Sequence, residues 1–132
     1  MTKEDKELLL QDLCSRLPYE VKALFFDAKK GYISVIEGID IYKFIKDDSG
    51  METEISDVKP YLFPMSSMTD EQREEYRKVC ELDTEILSKH PMDGTPFPAL
   101  YYSQDWLNKN HFDYRGLIPM GLVIDATNKN IY

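Results

Sequence analysis

Between residues 3 and 17, Leu9, Leu10, Leu13, Cys14 and Leu17 recur at helical spacing, which predicts an amphipathic helix. Thr2 is suited to cap it, and Glu4 and Asp5 fall in the first turn, where the helix dipole favours acidic side chains. Leu17 precedes Pro18, which discourages continuation. The pattern then changes character. Three β-prone runs, at about 20–27, 32–37 and 39–45, predict strands. Ala28-Lys29-Lys30-Gly31 reads as a hairpin connection, with Gly31 free to take a positive φ, and Gly38 as a second tight turn or a bulge. In the third run Ile39, Ile41, Lys43 and Ile45 alternate with Asp40, Tyr42 and Phe44. Neither face is cleanly polar, so aromatic side chains are expected to cover part of both.

Pro60 and Pro64 argue against a regular element around VKPYLFP. Tyr61, Leu62, Phe63, Met65 and Met68 make that segment too apolar for a free linker, so it is expected to lie ordered across the core. Thr69 and Gln72 form a capping-box pattern, with Asp70 and Glu71 in the first turn of a second helix. Its buried stripe is read as Tyr76, Val79, Cys80, Ile86 and Leu87, opposite Arg73, Glu74, Glu75, Arg77 and Lys78. Lys89 and His90 suit its C-terminal end and Pro91 closes it, which gives His90 a place without a ligand role. Residues 91–102, PMDGTPFPALYY, read as a Pro-rich loop, and LVIDATNKNIY as a short hairpin around 127–130 or one strand and a tail. These elements predict a single α+β domain: a small antiparallel sheet of three or four strands, largely from residues 20–46, packed against three or four helices.

Composition narrows the function. The chain has 42% hydrophobic and 30% charged residues, ordinary for a globular protein. Its apolar runs are too short for a membrane span, and MTKEDKELLLQDLC lacks the apolar centre and cleavage site of a signal peptide, so a cytoplasmic protein is expected. Cys14 and Cys80 are far apart, at apolar-periodic positions, and read as buried free thiols. A net charge of −8 and a pI near 4.7 disfavour direct binding to nucleic acid. Lys22, Lys29 and Lys30 are the nearest approach to a basic stripe. Asp47-Asp48-Ser49-Gly50 lacks the ligand alternation of a calcium loop and is expected to be a solvated turn. An acidic inhibitor imitating DNA is an alternative, and it would need Asp47, Asp48, Glu52, Glu54 and Asp57 along one exposed ridge.

The densest chemistry lies in SQDWLNKNHFDYRGLIPMG, residues 103–121. Asp105 and His111 are six positions apart, about 120° around a helix, so they do not share a face. His111 and Asp113 converge only if the chain between them is extended. Ser103 lacks a nucleophile elbow and reads as a helix cap. One histidine among scattered carboxylates is not a zinc cluster, and Gly116 and Gly121 do not form a phosphate loop. No catalytic, cofactor or metal residue is therefore expected. Packing accounts for more: Trp106, Leu107, Phe112, Leu117, Ile118 and Met120 supply apolar surface, and Asp113 is placed to cap the turn at 114–118. Gly116 would admit a close neighbour, Gly121 would end a helical segment, and Arg115 would pair Asp113 or a carboxylate elsewhere. His111 alone is left without a role. An enzyme using it would place it in a pocket within reach of Asp105 or Asp113.

Two blocks, VKPYLFPMSSMTDEQREEY (58–76) and DWLNKNHFDYRGLIPMGLVIDA (105–126), resemble small phage-like or mobile-element proteins of Bacteroides-type gut bacteria, nearly end to end. The resemblance implies no activity and no catalytic residue. Members of that group tend to carry Arg where this chain has Phe63, and a residue other than proline at Pro119. The first departure argues against a charged partner role at position 63; the second implies a shorter or kinked final helical turn. The resulting expectation is a non-enzymatic protein that binds another protein, with Phe63, Phe97, Tyr101 and Tyr102 as candidate partner surface.

Overall fold

In the computed structural model the chain folds as α+β. The structure describes residues 1–26, 30–89 and 101–132, with the backbone alone at 86–89 and 101. The reciprocal cap at Thr2 starts α1 (Lys3–Arg16): Asp5 N donates to Thr2 Oγ1 at 3.0 Å, and Thr2 N donates to the Asp5 carboxylate at 3.2 Å. The buried face of α1 is Leu9, Asp12, Leu13 and Arg16. Cys14 stands about 140° around the axis from Leu9 and is exposed, not buried as expected; Cys80 is only half-buried.

A 3-10 turn at Leu17–Tyr19 leads into β1 (Lys22–Phe26), which pairs antiparallel with β2 (Gly31–Val35). Residues 28 and 29 of the expected hairpin connection lie outside the described residues. The expected third strand is instead a hairpin of its own. β3 (Gly38–Ile39) and β4 (Ile45–Lys46) pair antiparallel, and β5 (Glu52–Thr53) adds to β4. Asp40 makes the break: its carboxylate accepts from Tyr42 N at 2.8 Å and Phe44 N at 2.9 Å, and Lys43 takes φ 67°. The strand alternation in 39–45 therefore stops at its second residue.

The segment holding the two prolines is β6 (Val58–Pro64), a seven-residue strand and the centre of the main sheet. Both prolines sit where a missing donor costs little. Pro60 faces Ala23 at the end of the β1 register, and Pro64 is the strand's last residue. After a 3-10 turn at Met65–Ser67 comes α2 (Asp70–Lys89), capped as expected: Gln72 N donates to Thr69 Oγ1, and Thr69 N to Gln72 Oε1. Its inward face carries Tyr76, Val79, Cys80 and the buried Asp83. The side chains of Ile86 and Leu87, and all of His90 and residues 91–100, lie outside the described residues.

α3 (Tyr101–Lys109) includes residues 101 and 102, assigned to a loop by the sequence. It leads into β7 (Phe112–Asp113), and β8 (Ile124–Asp125) follows after a series of turns; both run parallel to β6. The main sheet is thus mixed, in the order β2-β1-β6-β7 with β8 also on β6, and it draws strands from well beyond residue 46. One apolar cluster lies between α1 and the sheet, where Leu9, Ala23, Phe25, Val58, Leu62 and Leu117 are fully buried. Each large side chain so buried stabilises the fold by roughly 1.5–3 kcal/mol. A smaller cluster joins Met68, Leu107 and Phe112, with Trp106 stacked on Phe112 at 5.7 Å.

Candidate functional site

Residues 103–121 form a corner held by charge. Asp12, on the buried face of α1, accepts from Arg16 Nε at 2.8 Å and from Arg115 at 2.6 Å. Arg16 also donates to the Phe112 carbonyl at 2.6 Å. Both guanidiniums lie over the Tyr114 ring, that of Arg16 at 5.1 Å from its centroid and that of Arg115 at 4.7 Å. The Tyr114 hydroxyl meets Asn108 Oδ1 and Arg115 at 2.9 Å. Arg115 therefore pairs with a carboxylate elsewhere, and not with Asp113. The Asp113 carboxylate accepts from Leu117 N and Ile118 N, each at 2.9 Å, the capping role expected of it.

Several details of the corner differ from the sequence reading. The stretch after β7 is a run of turns, not a second helix, so Pro119 interrupts none. Gly116 (φ 73°) and Gly121 (φ 75°) serve by their left-handed backbone; a side chain at Gly116 would meet open space, so no close approach requires it. Met120 is half exposed and adds little to the core. Ser103 does not cap α3. The cap comes from Asp83 of α2, whose carboxylate accepts from Tyr102 N at 3.0 Å and Ser103 N at 2.9 Å. Burial alone would raise the Asp83 carboxyl, but those bonds outweigh it and hold it below the ordinary carboxylate value.

His111 has a structural role. It occupies the left-handed position just after α3, at φ 61°, where its N–H bonds the Asn108 carbonyl. Its own carbonyl accepts from Phe63 N at 2.8 Å, tying α3 to β6. The imidazole stacks on Tyr132 with centroids 3.8 Å apart. Tyr132 in turn donates to the Tyr61 carbonyl at 2.8 Å and receives Lys22 N at 3.0 Å. Burial, then the charges of Arg16 and Lys22, pull His111 down to about 4, and burial pushes Tyr132 up to about 12. Neither carboxylate that a His111-based enzyme would need is bonded to it: Asp105 accepts from the Tyr19 hydroxyl, Asp113 is engaged with the turn, and His111 Nδ1 is buried without a partner. Among the described residues no group of three His, Cys, Asp or Glu side chains is placed to hold a metal.

Of the candidate partner residues, Tyr102 is 46% exposed. Phe63 is half-buried against the Phe112 and Tyr132 rings. Phe97 and the Tyr101 side chain lie outside the described residues. The acidic ridge is interrupted. The expected turn is exposed at 48–50, but Asp47 is 3% exposed, and its carboxylate accepts from Tyr32, Ser49 and Met51. Burial favours its neutral form, yet those bonds keep it charged and its pKa lowered. Asp48 accepts from Ser34, and Glu52 faces Lys46.

The sequence reading missed the hairpin between β3 and β4. Its tip presents Ile41 and Tyr42, 88% and 75% exposed. Beside it a cleft of about 290 Å³ opens against α1, lined by Lys3, Lys6, Leu10, Tyr42, Lys43 and Phe44 among others. The signal available was the Asp40-x-Tyr42 spacing, which suits an Asx turn within an otherwise β-prone run. Compared with protein-family models, with curated proteins and with solved structures, the chain matches none. No helix among the described residues is long and apolar enough to cross a membrane.

Proposed function

We propose that this chain is a small cytoplasmic protein-interaction domain of phage or mobile-element type, non-enzymatic, and that its partner is another protein. The observation that carries this reading is the apolar hairpin tip, Ile41 and Tyr42, held out from the fold. Single exposed apolar residues are ordinary. Here two large ones are consecutive, and the Asp40 clamp fixes the backbone that presents them. A rigid aromatic anchor loses little entropy on binding, which is why tyrosine is enriched at interfaces. Around His111, by contrast, the imidazole stacks on Tyr132 and is bonded to neither Asp105 nor Asp113.

The test is a pull-down from the native host at physiological salt, with the wild-type chain and an Ile41→Asp/Tyr42→Asp variant. The wild type should retain a specific protein that the variant loses. No specific protein, or equal retention by both, would sink the reading.

A further inference from the structure

We propose that the segment after β8 is a latch, closed by Tyr132 over His111, and that acid opens it. Beyond Ala126 the chain doubles back through left-handed backbone at Asn128 (φ 60°) and Asn130 (φ 53°). Lys22 Nζ then donates to the Ile131 carbonyl at 2.8 Å, and the Tyr132 hydroxyl reaches the main sheet. There it takes the place of a rung. The β1–β6 register ends at Ala23 and Pro60, so the next rung would join Lys22 N–H to the Tyr61 carbonyl. The hydroxyl stands between them instead, accepting from the first at 3.0 Å and donating to the second at 2.8 Å. Withdrawing it leaves a donor and an acceptor that bond each other or water, so opening strands no backbone group. Tyr132 is 42% exposed and belongs to neither apolar cluster, so the latch lifts without breaching the core. Opening bares Phe63, whose ring packs on that of Tyr132 at 5.9 Å.

The proton acts through His111. Its ring stacks on that of Tyr132 with centroids 3.8 Å apart, and its Nδ1 is buried without a partner. The closed latch therefore covers a neutral imidazole, whereas in the open one water reaches the ring and the charged form is favoured. The neighbours reinforce this. α1 brings Arg16 and β1 brings Lys22, two cations that both act on His111. On β6, Tyr61 and Phe63 are uncharged. On α3 and β7, Lys109 is exposed, Asp105 accepts from the Tyr19 hydroxyl, and Asp113 accepts from Leu117 N and Ile118 N. A tyrosine face favours a cation, but Lys22 already stands over this one, 5.9 Å from its centroid. His111 titrates at about 4 when covered and near 6.5 when hydrated, so between those values the open state binds the extra proton. Closure is strongest above about pH 6.5. Lowering the pH to about 4 favours opening by about 5- to 30-fold, once partial exposure dilutes the full effect.

The test is an NMR titration of the full chain from about pH 7.5 to about 4. In the wild type the open population, read by relaxation dispersion at Lys22 and residues 127–132, should rise about 5- to 30-fold, and NOEs between the His111 and Tyr132 rings should weaken. Amides of Leu24, Phe25 and Leu62 should keep their positions. Tyr132→Ala should place residues 127–131 in the open state already at about pH 7.5, and raise the pH at which His111 titrates from about 4 to above about 5. His111→Asn should remove the pH response of residues 127–132. An open population that does not rise overturns the proposal. So do core amides that move in step with residues 127–132, which would mean unfolding of the whole chain. A His111 titration unaltered by Tyr132→Ala, or a response that persists in His111→Asn, overturns it equally.

Discussion

Arg16 heads the fully buried side chains by volume, ahead of Phe25 and Phe112. A charge in that position survives only because Asp12, itself fully buried, faces it and the Phe112 carbonyl takes a second N–H. Asp12→Ala strands both Arg16 and Arg115, so it should cost about 3–5 kcal/mol in denaturant unfolding; a loss below about 1 kcal/mol would mean water reaches Arg16. His111 gives a separable pH effect. Its imidazole titrates near 4 folded and about 6.5 unfolded, so between those values the unfolded chain binds the extra proton. Its contribution is complete above about pH 6.5 and drains away as pH falls towards 4, by roughly 1–2 kcal/mol once partial exposure dilutes it. The lowered aspartates Asp47, Asp83 and Asp125 lose theirs only at lower pH. His111→Asn keeps a residue that tolerates positive φ and should flatten the stability profile between pH 6.5 and 4. An unchanged slope would assign the effect to another group. At this scale the local steps were legible: Asp113 as a cap, and the divergence of Asp105 from His111. The Asp12–Arg16–Arg115 lock was not, because its decisive bond, Arg115 to Asp12, joins residues 103 positions apart, and an i,i+4 acid–base pair ordinarily marks a solvated face.

Among the elements, α3 depends on a neighbour for its start. Four N–H groups open at any helix N-terminus, and here Asp83 of α2 satisfies two of them. Asp83→Ala should cost about 1–2 kcal/mol and hasten amide exchange at Tyr102 and Ser103 more than in α1. Exchange unchanged at those two amides would show that α3 holds its first turn unaided. No local rule points to this cap, since donor and acceptor are 19 and 20 residues apart and Ser103 offers a plausible side chain of its own. The helices themselves were readable, because periodicity and the boxes at Thr2 and Thr69 are local. Strand assignment failed where context overrides propensity. Pro60 and Pro64 suit β6 because its pairing with β1 ends at the first and the strand ends at the second, and the β-prone 39–45 folds on itself because the Asp40 carboxylate competes for its amides.

For the molecule as a whole, β6 is the shared wall. Leu62 belongs to the larger apolar cluster and Phe63, the next residue, packs against the smaller. The α+β class follows from local pattern, whereas the parallel pairing of β7 and β8 to β6 depends on contacts 49 to 63 positions apart in sequence, which no periodicity encodes. The two clusters are unequal. Among the described residues the larger has thirteen buried side chains between α1 and the sheet and the smaller has three, beneath α2, whose described side chains are mostly exposed. Local opening free energy follows buried apolar contact, so native-state amide exchange should be slowest in β1 and β6 and faster along α2. The Arg16 bond to the Phe112 carbonyl fastens the smaller cluster to α1, and losing Asp12 leaves that arginine without its buried counter-charge. Asp12→Ala should therefore widen the gap, lowering protection in α2 and α3 by more than in β1. If α2 exchanges with the same free energy as β1 in both proteins, the two clusters unfold as one and the charged corner adds stability without dividing it.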